Sequence, residues 1–159
     1  MQPLELYAEH GNFKLYMSDT GLLITQLMKS DIWTGDDIYK ALINDRISAD
    51  LGMVFENIVA QMLTAAGGKL YYHEFMFQEE NEKTEKKYEI DFLISKQKKV
   101  CPIEVKSSGY TIHKSFDMFV EKYSSNIKIQ NKYILYNKDL QYKDGTVYLP
   151  VYMTMFLWE

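Results

Sequence analysis

Apolar and polar residues along this chain follow two periods, and the changes of period mark the predicted elements. Leu51, Phe55, Ile58, Met62 and Ala66 recur at spacings of 4, 3, 4 and 4, the repeat of a helix with an apolar stripe. This helix is predicted from near Ser48 to just before Gly67-Gly68, a natural C-terminal stop. Upstream, Phe13-Lys14-Leu15-Tyr16-Met17 alternates like a short strand, Ser18-Asp19-Thr20 offers an N-cap, and Leu22 to Met28 reads as a helix. A second short helix is expected from Asp36 to Ile43. Downstream, Leu70 to Phe77, Tyr88 to Ile94 and Val100 to Lys106 read as strands, with a solvated loop over Glu79 to Lys87. Ser115 to Tyr123 reads as a helix that turns Phe116, Phe119, Val120 and Tyr123 inward. Lys132 to Tyr136 and Val147 to Leu149 complete the strands, and Pro150 opens a last short helix reaching Trp158. From Ser48 the order is α-β-β-β-α-β, which predicts a mixed sheet with helices packed on it, an α/β or α+β fold.

Composition narrows the class. With 159 residues, 47% of them hydrophobic, the chain is expected to form one domain whose core needs no staples. Residues 1–47 form a strand and helical extension, 48–136 the core, and 137–159 a closing strand and helix. A lone cysteine, Cys101, excludes an internal disulfide and suits a reducing compartment. No apolar run nears the ~20 residues of a membrane span, and the start does not resemble a signal peptide, so a cytoplasmic location is expected. The net charge of −4 is unevenly spread: Met1 to Glu85 holds six basic and fourteen acidic residues, Lys86 to Asp144 twelve lysines and seven acidic residues. Arg46 is the only arginine. Bidentate reading of guanine is therefore not expected, although lysines can hold phosphates.

The candidate chemistry lies in the basic half. Strand side chains alternate faces, so Asp91 shares a face with Glu89 and Leu93, and Glu104 shares one with Pro102 and Lys106. The loop Lys96-Gln97-Lys98-Lys99 centres between positions 97 and 98. In a symmetric hairpin this sets Asp91 opposite Glu104, with Cβ atoms about 4.5–5.5 Å apart. Opposed carboxylates are destabilising unless their charge is offset. A hard cation such as Mg²⁺ or Mn²⁺ would offset it, completing its shell with water and phosphate oxygens. Lys106 could then hold an attacking water or stabilise phosphate charge. The competing reading is an ordinary salt bridge to Lys106, worth at most ~1 kcal/mol if exposed. Glu56, on the long helix, is either a third carboxylate of this cluster or a solvated glutamate. Gly52, one turn earlier, suggests a close approach at that face.

Asp91 followed by Ile103-Glu104-Val105-Lys106, after a helix bearing Phe55-Glu56, resembles the PD-(D/E)XK nuclease superfamily, which includes restriction endonucleases and Holliday-junction resolvases. A closer resemblance spans nearly the whole chain. Tyr16-Met17-Ser18-Asp19-Thr20-Gly21-Leu22-Leu23, Gly52-Met53-Val54-Phe55-Glu56, Glu89-Ile90-Asp91-Phe92, Ile103-Glu104-Val105-Lys106-Ser107-Ser108 and Leu149-Pro150-Val151-Tyr152 are similar to successive blocks of a bacterial and archaeal domain of unknown function. That domain lies C-terminal to AAA-type P-loop ATPases. The resemblance implies a restriction-endonuclease-like core, Glu56, Asp91, Glu104 and Lys106 as catalytic residues, and Glu56, Asp91 and Glu104 as ligands of Mg²⁺ or Mn²⁺. It also implies DNA as substrate and an ATPase domain of the same parent protein as partner. The proline that often precedes the superfamily's aspartate is replaced here by Glu89-Ile90.

Other chemistries lack their residues. Gly67-Gly68-Lys69-Leu70 lacks the upstream glycine and the Ser/Thr of a P-loop, so no ATP site is expected in this chain. His10, His73 and His113 have no metal-ligand spacing with Cys101. No Gly-x-Ser-x-Gly elbow occurs. Ser107-Ser108-Gly109 reads as a turn. His113 and Lys114 either contact phosphate or simply start the next helix. Three functions stay open: a metal-dependent nuclease, a catalytically silent nuclease-fold module that binds DNA or regulates an ATPase, and a protein-interaction domain using its tyrosines.

Overall fold

The computed structural model describes residues 4–9, 11–29, 34–36, 40, 52–80, 82–96, 98–107 and 113–158. Most of the predicted helix from Asp36 to Ile43, the start of the long helix from Ser48 to Leu51, and Ser108-Gly109 lie outside the described residues.

The fold is mixed α+β. Its elements are a 3₁₀ turn (Leu4–Tyr7), α1 (Thr20–Lys29), α2 (Gly52–Ala65), β1 (His73–Phe77), β2 (Lys86–Ile90), β3 (Phe92–Lys96), β4 (Lys99–Val105), α3 (Lys114–Tyr123), β5 (Lys132–Tyr136), β6 (Gln141–Lys143), β7 (Thr146–Pro150) and a closing 3₁₀ helix (Val151–Trp158). A five-stranded sheet runs in the order β3-β4-β5-β7-β6, and β1 and β2 form a separate antiparallel pair. β5 lies between parallel neighbours β4 and β7, while β3 and β6 close the two edges as antiparallel strands. Lys-Tyr-Ile-Leu-Tyr suits β5 because a central parallel strand is covered on both faces.

The two faces carry two cores. Toward α2 and the closing helix, Val59, Ala60 and Leu63 meet Phe92, Ile103, Leu135 and Leu157. Toward α3 and the β1/β2 pair, Phe116 and Phe119 meet Phe75, Ile90, Val100, Ile134 and Tyr148. Tyr133 and Leu135 belong to the first core, Ile134 and Tyr136 to the second, the two-residue alternation of a strand.

Several predicted elements are corrected. The strand expected over Phe13 to Met17 is an extended segment without ladder partners among the described residues. The single strand expected over Tyr88 to Ile94 is two strands, β2 and β3, separated by a bend at Asp91. The predicted α2 stripe is rotated. Ala66 is exposed, Phe55 and Ile58 pack with Val54 against α1, and Val59, Ala60 and Leu63 face the sheet. A helix covered on two sides has no single stripe to read. Strand β6 was not expected, yet Asp144 and Gly145, with φ of 50° and 71°, form its turn into β7. Positive φ at both central positions is what a type I′ hairpin turn requires.

Candidate functional site

The β3–β4 hairpin has the predicted register. Phe92 pairs with Ile103, Leu93 with Pro102 and Lys96 with Lys99. Lys98, at φ 66°, helps close the tight turn. Asp91 and Glu104 therefore stand just beyond the last paired residues of the hairpin, but not as a plain cross-strand pair. At the bend, Asp91 turns its carboxylate into the ladder, and Oδ2 accepts a 2.7 Å hydrogen bond from the backbone N–H of Val105.

Glu104 is 2% exposed. It lies on β4 between the paired residues Ile103 and Val105, alongside Ile134 of β5. Lys106 Nζ is 3.1 Å from its Oε2, the same-face placement that a spacing of two residues dictates. Neither Glu104 oxygen completes a hydrogen bond among the described residues. Burial pushes its carboxyl above the ordinary range, and Lys106, His113 and Ser115 pull it back. Burying a carboxylate in an apolar sheet is costly, and the ion pair with Lys106, the salt bridge of the competing reading, offsets part of that cost.

Asp91 is pushed up to about 7, first by burial and then by the charges of Glu56 and Glu104; the Val105 N–H and Lys14 oppose the rise. Asp91 thus lies close enough to both Glu56 and Glu104 to feel their charge. Glu56, however, is engaged elsewhere. Its Oε2 lies 3.4 Å from both Lys14 Nζ and Tyr16 Oη. Lys14 also pairs with Glu89 and sits 5.5 Å from the centroid of the Tyr72 ring. Burial disfavours the Lys14 charge, but Glu89 and Glu56 more than compensate and raise its pKa. Gly52 has no atom near its missing side chain, so the close approach expected there is absent from the described structure.

The segment carrying Lys14 is pinned to α2. Buried Asn57 accepts from Met17 N–H at 2.7 Å and donates to Met17 O at 3.0 Å and Thr20 Oγ1 at 2.8 Å. Lys14, Tyr16 and Glu89 are the site residues that sequence reasoning missed. The alternation over residues 13–17 did place Lys14 and Tyr16 on one face. Nothing local pointed that face at a helix about 40 residues away.

His113 precedes α3 and makes no side-chain cap. Its Nε2 lies 3.1 Å from Tyr148 Oη, and its charge is felt at Glu104. Beside the cluster, a groove of about 1080 Å³ borders edge strand β3 and includes Asp91, Lys14 and Tyr72 in its lining. Among the described residues, no three His, Cys, Asp or Glu side chains converge closely enough to hold a metal, and no helix is long and apolar enough to cross a membrane.

The fold and site define an α+β domain with a Glu-x-Lys pair, its carboxylate buried and its lysine partly exposed, beside an aspartate on a sheet edge. The chain belongs to the family described as "Domain of unknown function (DUF4143)", which matches residues 51–154. No curated protein and no solved structure matches the chain.

Proposed function

We propose that this domain is a PD-(D/E)XK-type nuclease that hydrolyses DNA phosphodiesters with Mg²⁺ or Mn²⁺, and that it is appended to an AAA-type ATPase in its parent protein. The observation that carries this reading is Glu104: a carboxylate buried at 2% exposure, with the Lys106 ammonium 3.1 Å away and Asp91 close enough to feel its charge. That donor set fits Mg²⁺, which is commonly held by one or two carboxylates together with waters and phosphate oxygens. Asp91 and Glu104 would hold the ion, with Glu56 as an outer acidic residue. A cation there supplies Lewis acidity, lowering the pKa of bound water and polarising the phosphodiester.

The remaining roles belong to the chain itself. Val105 N–H fixes the orientation of Asp91 through Oδ2. Lys106 sets its ammonium beside Glu104, where it can orient a water or stabilise charge growing on phosphate. A second reading, a silent nuclease-fold module, is favoured by Lys14, which already neutralises part of the acidic cluster.

The test combines Mn²⁺ calorimetry with cleavage of supercoiled, linear and branched DNA in Mg²⁺ and Mn²⁺. The nuclease reading requires metal-dependent cutting that Asp91→Asn, Glu104→Gln and Lys106→Met each abolish. Inactivity on every DNA form together with no heat of Mn²⁺ binding refutes it. Mn²⁺ binding without cleavage favours the silent module.

A further inference from the structure

We infer that the groove beside Asp91 is a binding site for single-stranded DNA, held by base stacking and lysine–phosphate contacts; this deepens the nuclease reading by naming the substrate form. The groove holds about 1080 Å³, at the upper end of the roughly 300–1,000 Å³ typical of small-molecule pockets. Such a space suits a segment of polymer.

Its chemistry changes along its length. One part contains Asp91, the carboxylate of the proposed cutting centre. The lining elsewhere is rich in rings, including Phe13, Tyr71, Tyr72 and Tyr123, and also carries Glu9 and Glu74, the latter paired with Lys87. Phe13 is 71% exposed, and neither apolar core includes it. A large aromatic side chain held in water at a groove lip offers a stacking face. Away from Asp91, the groove includes Lys98, Lys99 and Lys128. Lys99, Ile127 and Lys128 also border a neighbouring shallow depression that adds Lys132 and has no carboxylate among its described lining residues. Positive charge therefore gathers at the far end, where a phosphate backbone would leave the acidic centre.

Single-strand sites combine these two features: aromatic side chains that stack on bases, worth roughly 1–3 kcal/mol per base, and a positive track for phosphates. Duplex readout instead favours bidentate side chains, arginine above all, in the major groove. This chain has one arginine and thirteen tyrosines, a balance suited to stacking.

The test is fluorescence anisotropy with the full chain and labelled oligo(dT), oligo(rU) and duplex DNA, in EDTA so that binding is read apart from cutting. Oligo(dT) is expected to bind at least tenfold more tightly than duplex. Phe13→Ala is expected to weaken it by about fivefold or more, the lower end of one stacked base. Leu15→Ala is the control: Leu15 is 86% exposed on the same segment and does not line the groove, so its loss should change nothing. Lys99→Gln with Lys128→Gln should weaken binding and flatten its salt dependence.

Equal or tighter duplex binding, stronger binding of oligo(rU), no binding of any nucleic acid, or equal effects of Phe13→Ala and Leu15→Ala each overturns the inference. Metal-dependent cutting of duplex without single-strand preference would overturn it while leaving the nuclease reading standing. Single-strand binding without cutting in any metal would do the reverse.

Discussion

Replacing Asp91 with asparagine separates the electrostatic cost of the site from its geometry. In the Asp91→Asn variant the amide oxygen can still accept the Val105 N–H bond that Asp91 accepts at 2.7 Å, so the change removes charge and little else. The folded-state pKa of Asp91 is about 7 against an ordinary 3.8. A raised carboxyl pKa means that the folded protein holds a proton the unfolded chain has lost. The cost is absent below the unfolded value, grows as pH rises through 4 to 7, and is complete above the folded value.

Each pKa unit corresponds to about 1.4 kcal/mol. Three units give a ceiling of about 4 kcal/mol at pH 8, of which about 1.5 has already accrued at pH 5. The cost added between pH 5 and pH 8 is therefore about 2.5 kcal/mol at most, and roughly half that after partial solvent screening. For a chain of this length, 1 kcal/mol moves Tm by about 2–4 °C. In EDTA, Asp91→Asn should therefore gain about 3–10 °C of Tm over wild type on going from pH 5 to pH 8. Scanning fluorimetry at both pH values reads this directly. A variant whose Tm relative to wild type is the same at both, or lower at pH 8, refutes the account of Asp91 as a carboxyl strained by burial and neighbouring acids.

Lys14→Ala removes the cation that opposes the raised pKa of Asp91, so the pH window of the Asp91 effect should move upward; a carboxyl titration by NMR that stays put or moves down counts against it. Asn57→Ala breaks the three hydrogen bonds that pin Met17 and Thr20, at a cost of about 2–4 kcal/mol. Chymotrypsin should then cut at Phe13 or Tyr16 faster than in wild type, and an unchanged rate would show that something else holds the segment. Ile134, fully buried on the central strand, should cost about 3–5 kcal/mol when cut to alanine. A chemical denaturation midpoint within error of wild type would mean that the strand is not the centre of the core.

What could be read from the sequence was what local geometry decides. The hairpin register followed from a tight symmetric loop, and the pairing of Phe92 with Ile103 matches it. Strand β5 and helix α3 were legible because one-sided or two-sided burial leaves a regular apolar pattern. The break at Asp91 was not. Alternation runs unbroken from Tyr88 to Ile94, and only the side chain replacing a backbone acceptor divides it. The α2 stripe was misplaced because α1 covers a second face. The Asp144-Gly145 dipeptide was the available signal for β6, whose three residues are all exposed. Around the site, Glu104 and Lys106 were placed by spacing. Lys14 reaches Glu56 and Glu89 across 42 and 75 residues, a separation over which periodicity carries no information.

The Asn57 clip has a consequence for how this domain can be divided. The family match begins at residue 51, yet the counter-charge of its acidic cluster arrives on a segment fastened by Asn57 from outside that match. A protein trimmed to the matched residues would keep Glu56, Glu89, Asp91 and Glu104 and lose Lys14, with its bonds to Glu56 and Glu89. Such a fragment would carry an acidic centre more repulsive than the native one, with the polar side chain of Asn57 newly opened to water. The matched stretch and the smallest unit that balances its own charge are therefore two different lengths of chain.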